Sequence, residues 1–351
     1  MPTLSCLPAA GRWILLMLVF MLAACGSGDD RPSTAAVRFL KRGNVAYKAQ
    51  EYRRAIHFYD EAVEAFPRYH EAFNNRGKAH FAVGEMERAL EDYRQALAIK
   101  DDHWEAYLNR ANVFMTVGRY EQALDDLNHL TRTPYTDTAD VYYARAMTHL
   151  LAGQNAAALL DFERALRRDS TYVEAYVNRG LLQYKLKNYA DAERDFRRAL
   201  RLDSAQDLAI NNLGMLRLVE GDYPGARGYF DRALTLNGRE ATYFNNRGYA
   251  LLQQDSLEAG RADVERALRL TPRNGWAFRN RGVYYLKTDD PAEALRQFEA
   301  ARNLDPDVEE LYYYLGEAHA ALGNVQEACR MWRESAARDE RTPDDLSARC
   351  P

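Results

Sequence analysis

One small residue returns nine times along this chain of 351 residues, at Gly43, Gly77, Ala111, Ala146, Gly180, Gly214, Gly248, Gly282 and Gly316, always 34 residues apart except for one interval of 35. A single globular core imposes no such period. The chain therefore reads as an array of like units stacked in a row, a form that builds extended binding surfaces.

Offsets from that small residue define each unit. Four before it stands a large apolar residue (Phe39, Phe73, Tyr107, Tyr142, Tyr176, Ile210, Phe244, Phe278, Tyr312), and twelve after it an alanine in eight of nine copies, with Gly260 the exception. Sixteen after it come Tyr59, Tyr93, Leu127, Phe162, Phe196, Phe230, Val264, Phe298 and Trp332. Apolar positions three and four apart describe two amphipathic helices per unit. Gly84, Gly118, Gly153, Gly221 and Gly323 mark the turn between them, as a left-handed helix C-cap requires. Small residues let the helices approach, and the large ring fills the space beside them.

This pattern resembles the tetratricopeptide repeat family. The resemblance implies an all-α, right-handed superhelical solenoid of about nine helix-turn-helix repeats. They occupy 36–342, as 36–69, 70–103, 104–138, 139–172, 173–206, 207–240, 241–274, 275–308 and 309–342, followed by a cap or tail at 343–351. The third copy, with Leu127, Leu130 and an extra residue near Pro134, and the seventh, with Gly260 and Val264, depart most from the pattern; a kink or looser packing is expected there.

Seven units carry an arginine just before the small residue, and five of those carry an aspartate fifteen after it: Arg76 with Asp92, Arg110 with Asp126, Arg145 with Asp161, Arg179 with Asp195, Arg247 with Asp263. Units six and nine lack both, having Leu213 with Tyr229 and Leu315 with Met331; Phe58 and Gln297 replace the aspartate beside Arg42 and Arg281. An ion pair linking two helices, of one unit or of adjacent units, explains this joint presence; the alternative is a row of arginines facing an acidic ligand. Such a pair fixes register more than it adds net stability.

In the family, the first helix of each unit lines the concave face. Positions three before, one after and four after the small residue share one helix face and give a strip expected to bind peptide: Tyr143, Met147, Leu181, Tyr184, Asn211, Met215, Asn245, Tyr249, Arg279 and Val283. The tyrosines at 143, 184 and 249 and the methionines are expected to be exposed in that groove, which suits an amphipathic helix or an extended segment. Asn75, Asn109, Asn178, Asn212, Asn246 and Asn280 recur two before the small residue and are expected to bond neighbouring backbone.

Residues 1–24 read as a secretory signal, with Arg12 before the short apolar run Trp13 to Leu22. Leu22-Ala23-Ala24-Cys25 resembles the bacterial lipobox, which implies lipidation of Cys25 and cleavage before it. Residues 25–35 then form a polar, flexible tether. Gly26 favours the outer membrane, with the array on its periplasmic face; Asp29-Asp30 leaves cell-surface exposure open.

Formal net charge is −4 with acidic and basic residues interspersed, so nucleic acid is not an expected partner. Of the four cysteines, Cys329 and Cys350 remain as an even pair in an oxidising compartment and are expected to form a disulfide across the terminal repeat. His80, His149 and His319 share a register in non-adjacent units and cannot meet at one metal; no phosphate loop or nucleophile elbow appears. The expectation is a membrane-anchored scaffold without catalytic site, cofactor or metal, recruiting envelope proteins or peptides. A peptidoglycan- or glycan-binding lipoprotein is the rival.

Overall fold

The structure, a computed structural model, describes residues 31–132 and 138–350. The signal segment, Cys25, the first part of the tether and the loop at Pro134 lie outside the described residues. The chain divides into two compact units, residues 1–158 and 159–351. Nineteen α-helices and no strand are present among the described residues.

The first unit holds α1 (Thr34–Lys48), α2 (Tyr52–Ala65), α3 (His70–Ala82), α4 (Met86–Ile99), α5 (Trp104–Thr116), α6 (Tyr120–Leu130) and α7 (Ala139–Leu151), and α8 (Asn155–Arg168) runs across the boundary. The second holds α9 (Val173–Lys185), α10 (Tyr189–Leu202), α11 (Asp207–Val219), α12 (Tyr223–Leu236), α13 (Ala241–Gln253), α14 (Leu257–Leu270), α15 (Gly275–Lys287), α16 (Pro291–Leu304), α17 (Leu311–Ala321), α18 (Val325–Ala337) and the short α19 (Leu346–Arg349). Within each unit, successive helices pack as antiparallel hairpins, each on the next.

All nine hairpin turns use one device. The residue seven after the small one has positive φ: Gly84, Gly118, Gly153, Gly221 and Gly323, but also Gln50, Lys187, Asp255 and Asp289. The following residue donates its N–H to the carbonyl five positions back, at 2.9 Å for Glu51 to Ala46 and 2.8 Å for Arg119 to Phe114. This Schellman closure satisfies carbonyls that the helix end would leave bare. Connections to the next hairpin instead run through an extended residue, such as Phe66, Thr271 or Asp305. Each of those precedes a proline, which disfavours helical backbone at its predecessor.

The register of small and large residues is a packing lock. A Cβ added to Gly180 would lie 2.7 Å from the Phe196 ring, and one at Gly214 would lie 2.6 Å from Phe230. Phe196 and Phe230 are themselves fully buried. Hairpin seven shows no looser packing. With Val264 in place of a ring, the backbones themselves close: a Cβ on Gly248 would stand 3.0 Å from the Gly260 carbonyl, and one on Gly260 would stand 2.8 Å from Leu252. Val264 is buried and α14 is unbroken. In hairpin three, Ala111, Leu127 and Leu130 are buried, and the departure is a shortened helix, α6.

Candidate functional site

In the second unit the first helices of four hairpins line a cavity of about 320 Å³. Leu181 and Tyr184 come from α9, Asn211, Asn212 and Met215 from α11, Thr242, Asn245 and Asn246 from α13, and Asn274 and Trp276 from the start of α15. The structure thus brings together five residues of the expected strip: Leu181, Tyr184, Asn211, Met215 and Asn245. An adjoining recess of about 110 Å³ shares Tyr184, Met215, Asn246 and Trp276 and adds Tyr249, Arg279, Asn280, Glu309 and Glu310. Tyr143 and Met147 belong to α7 in the first unit, half-buried, and do not line this cavity.

Three expectations for this face are corrected. Val283 is 1% exposed and packs in the core, because the helix behind it closes over that position. Tyr249 is buried: its hydroxyl donates to Glu310 Oε2 at 2.7 Å and lies 3.1 Å from the Tyr314 hydroxyl. The asparagines mostly bond each other, not backbone. Asn280 Nδ2 donates to Asn245 Oδ1 at 2.8 Å, Asn245 to Asn246, Asn246 to Asn211 at 3.0 Å, and Asn211 to Asn212. The first unit repeats this row, from Asn109 to Asn74, Asn75 and Asn44. Asn280 also reaches the Asn245 carbonyl, and Asn178 keeps a backbone acceptor, Glu174.

Arg279 is 5% exposed, wedged over the Tyr249 ring at 4.5 Å and near Trp276 and Tyr314. Burial disfavours its charge, yet the negative partners around it, Glu310 at 3.4 Å among them, hold its pKa above the ordinary value. Burial raises the Tyr314 phenol to about 12 and pushes up the Glu309 carboxyl. Glu310 sits in left-handed backbone, φ 58°, just before α17, so this hairpin begins late and its leading acids line the recess. The Lys187 ammonium donates to the Asp339 carbonyl at 3.0 Å, joining the end of α9 to the residues after α18.

Trp276 and Thr242 escaped the sequence reading although they were within reach of it. Both stand six before the small residue, one turn back along the same helix face. Glu310 stands at the same offset before Gly316, but in left-handed backbone outside α17, a placement the spacing does not reveal; Glu309 carried no periodic signal.

The arginine–aspartate pairs join the two helices of one hairpin. Arg76 Nε donates to Asp92 at 2.9 Å, Arg110 Nε to Asp126 at 2.8 Å, Arg179 Nε to Asp195 at 2.8 Å and Arg247 Nε to Asp263 at 2.6 Å, each with a second bond from Nη2. Arg76 and Arg247 also reach back to the preceding hairpin, to Asp60 and Asp231. Arg281 finds Gln297 at 2.8 Å, and Arg42 lies over the Phe58 ring at 4.3 Å. Arg145 donates to Asn128 and Thr131, and Asp161 accepts from Arg164. These arginines are committed to the scaffold.

Cys329 and Cys350 form a disulfide, with Cα atoms 5.5 Å apart, that ties the tail to α18. Among the described residues no cluster of three or more His, Cys, Asp or Glu could hold a metal, and no helix is long and apolar enough to cross a membrane.

Tetratricopeptide repeat profiles match residues 40–103, 84–135, 139–172, 173–205, 211–275 and 279–342. No curated protein matches the chain in sequence. Among solved structures, a tetratricopeptide repeat protein from Parabacteroides merdae is 19% identical, covering 71% of this chain and 98% of its own, with a TM-score of 0.58. The Cut9–Hcn1 hetero-tetramer of the APC/C is 16% identical over 80% of this chain and 55% of its own, at 0.59. Pseudomonas aeruginosa PilF is 20% identical over 63% of this chain and 98% of its own, at 0.53. At these identities the likeness concerns the fold. With profile matches spanning most of its length and the hairpin lock repeated in both units, the chain belongs to the tetratricopeptide repeat family.

Proposed function

We propose that this chain is a lipid-anchored scaffold of the bacterial cell envelope that holds a segment of another envelope protein against the α9–α11–α13–α15 face. Tetratricopeptide arrays mediate protein–protein interaction. The observation that carries the present reading is the 320 Å³ cavity, where Leu181, Tyr184, Met215 and Trp276 supply apolar and aromatic surface beside a row of asparagine amides. Apolar anchors with a few fixed polar groups suit a peptide segment: the anchors supply affinity, the amides orientation. Lipidation of Cys25 places the array at the membrane, on the periplasmic face of the outer membrane.

A photo-crosslinking residue at Thr242 or Asn212, with a control at Arg198 on the opposite helix layer, tests the face in the native cell. A discrete adduct with an envelope protein from the two cavity positions alone is the expected result. Equal adducts at Arg198, or none at the cavity, refute the assignment. Adducts with purified peptidoglycan in the absence of other protein favour the glycan-binding rival. A fatty-acid analogue should label the native chain and not Cys25→Ala; label on both removes the anchor.

A further inference from the structure

The chain as a whole is acidic, but its first hairpin is not. Residues 31–58 carry Arg31, Arg38, Lys41, Arg42, Lys48, Arg53 and Arg54 against the single acid Glu51. The interspersed charge read along the sequence conceals this patch, because Asp29 and Asp30 precede it and acids resume at Asp60.

The fold gathers these cations on one surface. Arg38, Lys41, Val45 and Lys48 recur three, four and three residues apart along α1, and all four are exposed, Val45 at 69%. No helix precedes α1 among the described residues, so this face lacks the neighbour that covers later hairpins. Between α1 and α2 it opens into a hollow of about 580 Å³ whose lining includes Val37, Arg38, Lys41, Val45, Arg54 and Phe58. Arg54 is paired with Glu51 at 2.7 Å, whereas Arg38, Lys41 and Lys48 have no ion pair among the described residues.

We propose that this face docks on the anionic headgroups of the membrane to which the chain is anchored, with Val45 and Val37 set into the headgroup layer between the cations. Two observations favour a lipid surface over another occupant. The patch is cationic with an apolar centre, complementary to anionic headgroups over acyl chains. It also begins close to the anchor: Thr34 stands nine positions after Cys25, a reach of about 32 Å at full stretch. The inference takes its setting from the anchored reading, but its test does not depend on lipid attachment.

The mature chain carrying Cys25→Ser is sedimented with vesicles of phosphatidylethanolamine and phosphatidylglycerol, or of phosphatidylcholine alone. Binding to the anionic vesicles only, weakening with salt, is the expected result. Each neutralised cation should weaken it about fivefold, so Arg38→Gln with Lys41→Gln should lower partition about 25-fold. The same pair on α10, Arg197→Gln with Arg198→Gln, should leave it unchanged. Helical circular dichroism and the melting temperature establish that each variant is folded. Absence of binding, equal binding to phosphatidylcholine, or equal loss from the α10 pair overturns the proposal. Failure of Cys25 labelling bears on the anchor alone.

Discussion

Removing the Asp195 carboxylate tests whether the repeated ion pair is structural. Asp195 accepts from Arg179 Nε at 2.8 Å and again from Nη2, with side-chain exposures of 8% for the aspartate and 21% for the arginine. Burial disfavours the guanidinium charge, and the bonds that Arg179 donates to Asp195, with the carboxylate's charge, outweigh that and keep Arg179 above its ordinary pKa. Asp195→Ala leaves a mostly buried cation without these bonds, which costs about 3 kcal/mol, the low end for a buried pair since some water still reaches Arg179. Arg179→Leu should cost a similar amount by stranding the carboxylate. Hairpin six supplies the internal control, carrying Leu213 and Tyr229 at these two positions. Arg179→Leu with Asp195→Tyr should therefore return to within about 1 kcal/mol of the native chain, because an apolar pair removes the desolvation cost along with the attraction. Urea unfolding by circular dichroism, with hydrogen exchange on α9 and α10, measures the cycle locally, since a repeat array need not unfold in one step. A change within about 0.5 kcal/mol for Asp195→Ala refutes the reasoning.

Three further outcomes are expected. Gly214→Val should cost about 2 kcal/mol or more by forcing Phe230 aside, whereas Gly228→Ala on the exposed side of α12, with no atom within 4 Å of the new Cβ, should gain about 1 kcal/mol of helix propensity; urea midpoints check both. His70 and His103 lie with ring centroids 4.8 Å apart, and burial lowers both from 6.5 despite Glu71 and Glu105 nearby. The unfolded chain therefore takes up protons first: first-unit stability is full above about pH 6.5 and falls as pH drops below it, and His70→Gln with His103→Gln should flatten that slope in hydrogen exchange of α3 and α5. A chain that begins at residue 25 and carries Cys25→Ser, unreduced and unfolded, should show no reactive thiol; two per chain would refute the Cys329–Cys350 bridge.

Much of the fold was legible because the periodic residues do the same job in every copy. A glycine facing a ring, or Arg179 facing Asp195, leaves the same spacing wherever it occurs. What escaped were positions where backbone, not side chain, carries the feature. Gln50, Lys187, Asp255 and Asp289 adopt the same left-handed turn as the glycines but carry no common residue to announce it. Glu309 and Glu310 reach the recess through one such turn. Tyr249 misled for a different reason: helix spacing gives a direction, and only the packing of α17 determines that the tyrosine is covered. Trp276 was readable at offset minus six, but the face was traced one turn too short.

The amide row has a polarity that follows from asparagine chemistry. Every Nδ2 from Asn280 through Asn245, Asn246 and Asn211 points the same way, so the row ends with an acceptor, the buried Asn280 Oδ1, at one extremity and Asn212 at the other. Turning over any interior amide would set oxygen against oxygen on one side and hydrogen against hydrogen on the other. The orientations are consequently correlated across three hairpins, from Asn212 to Asn280.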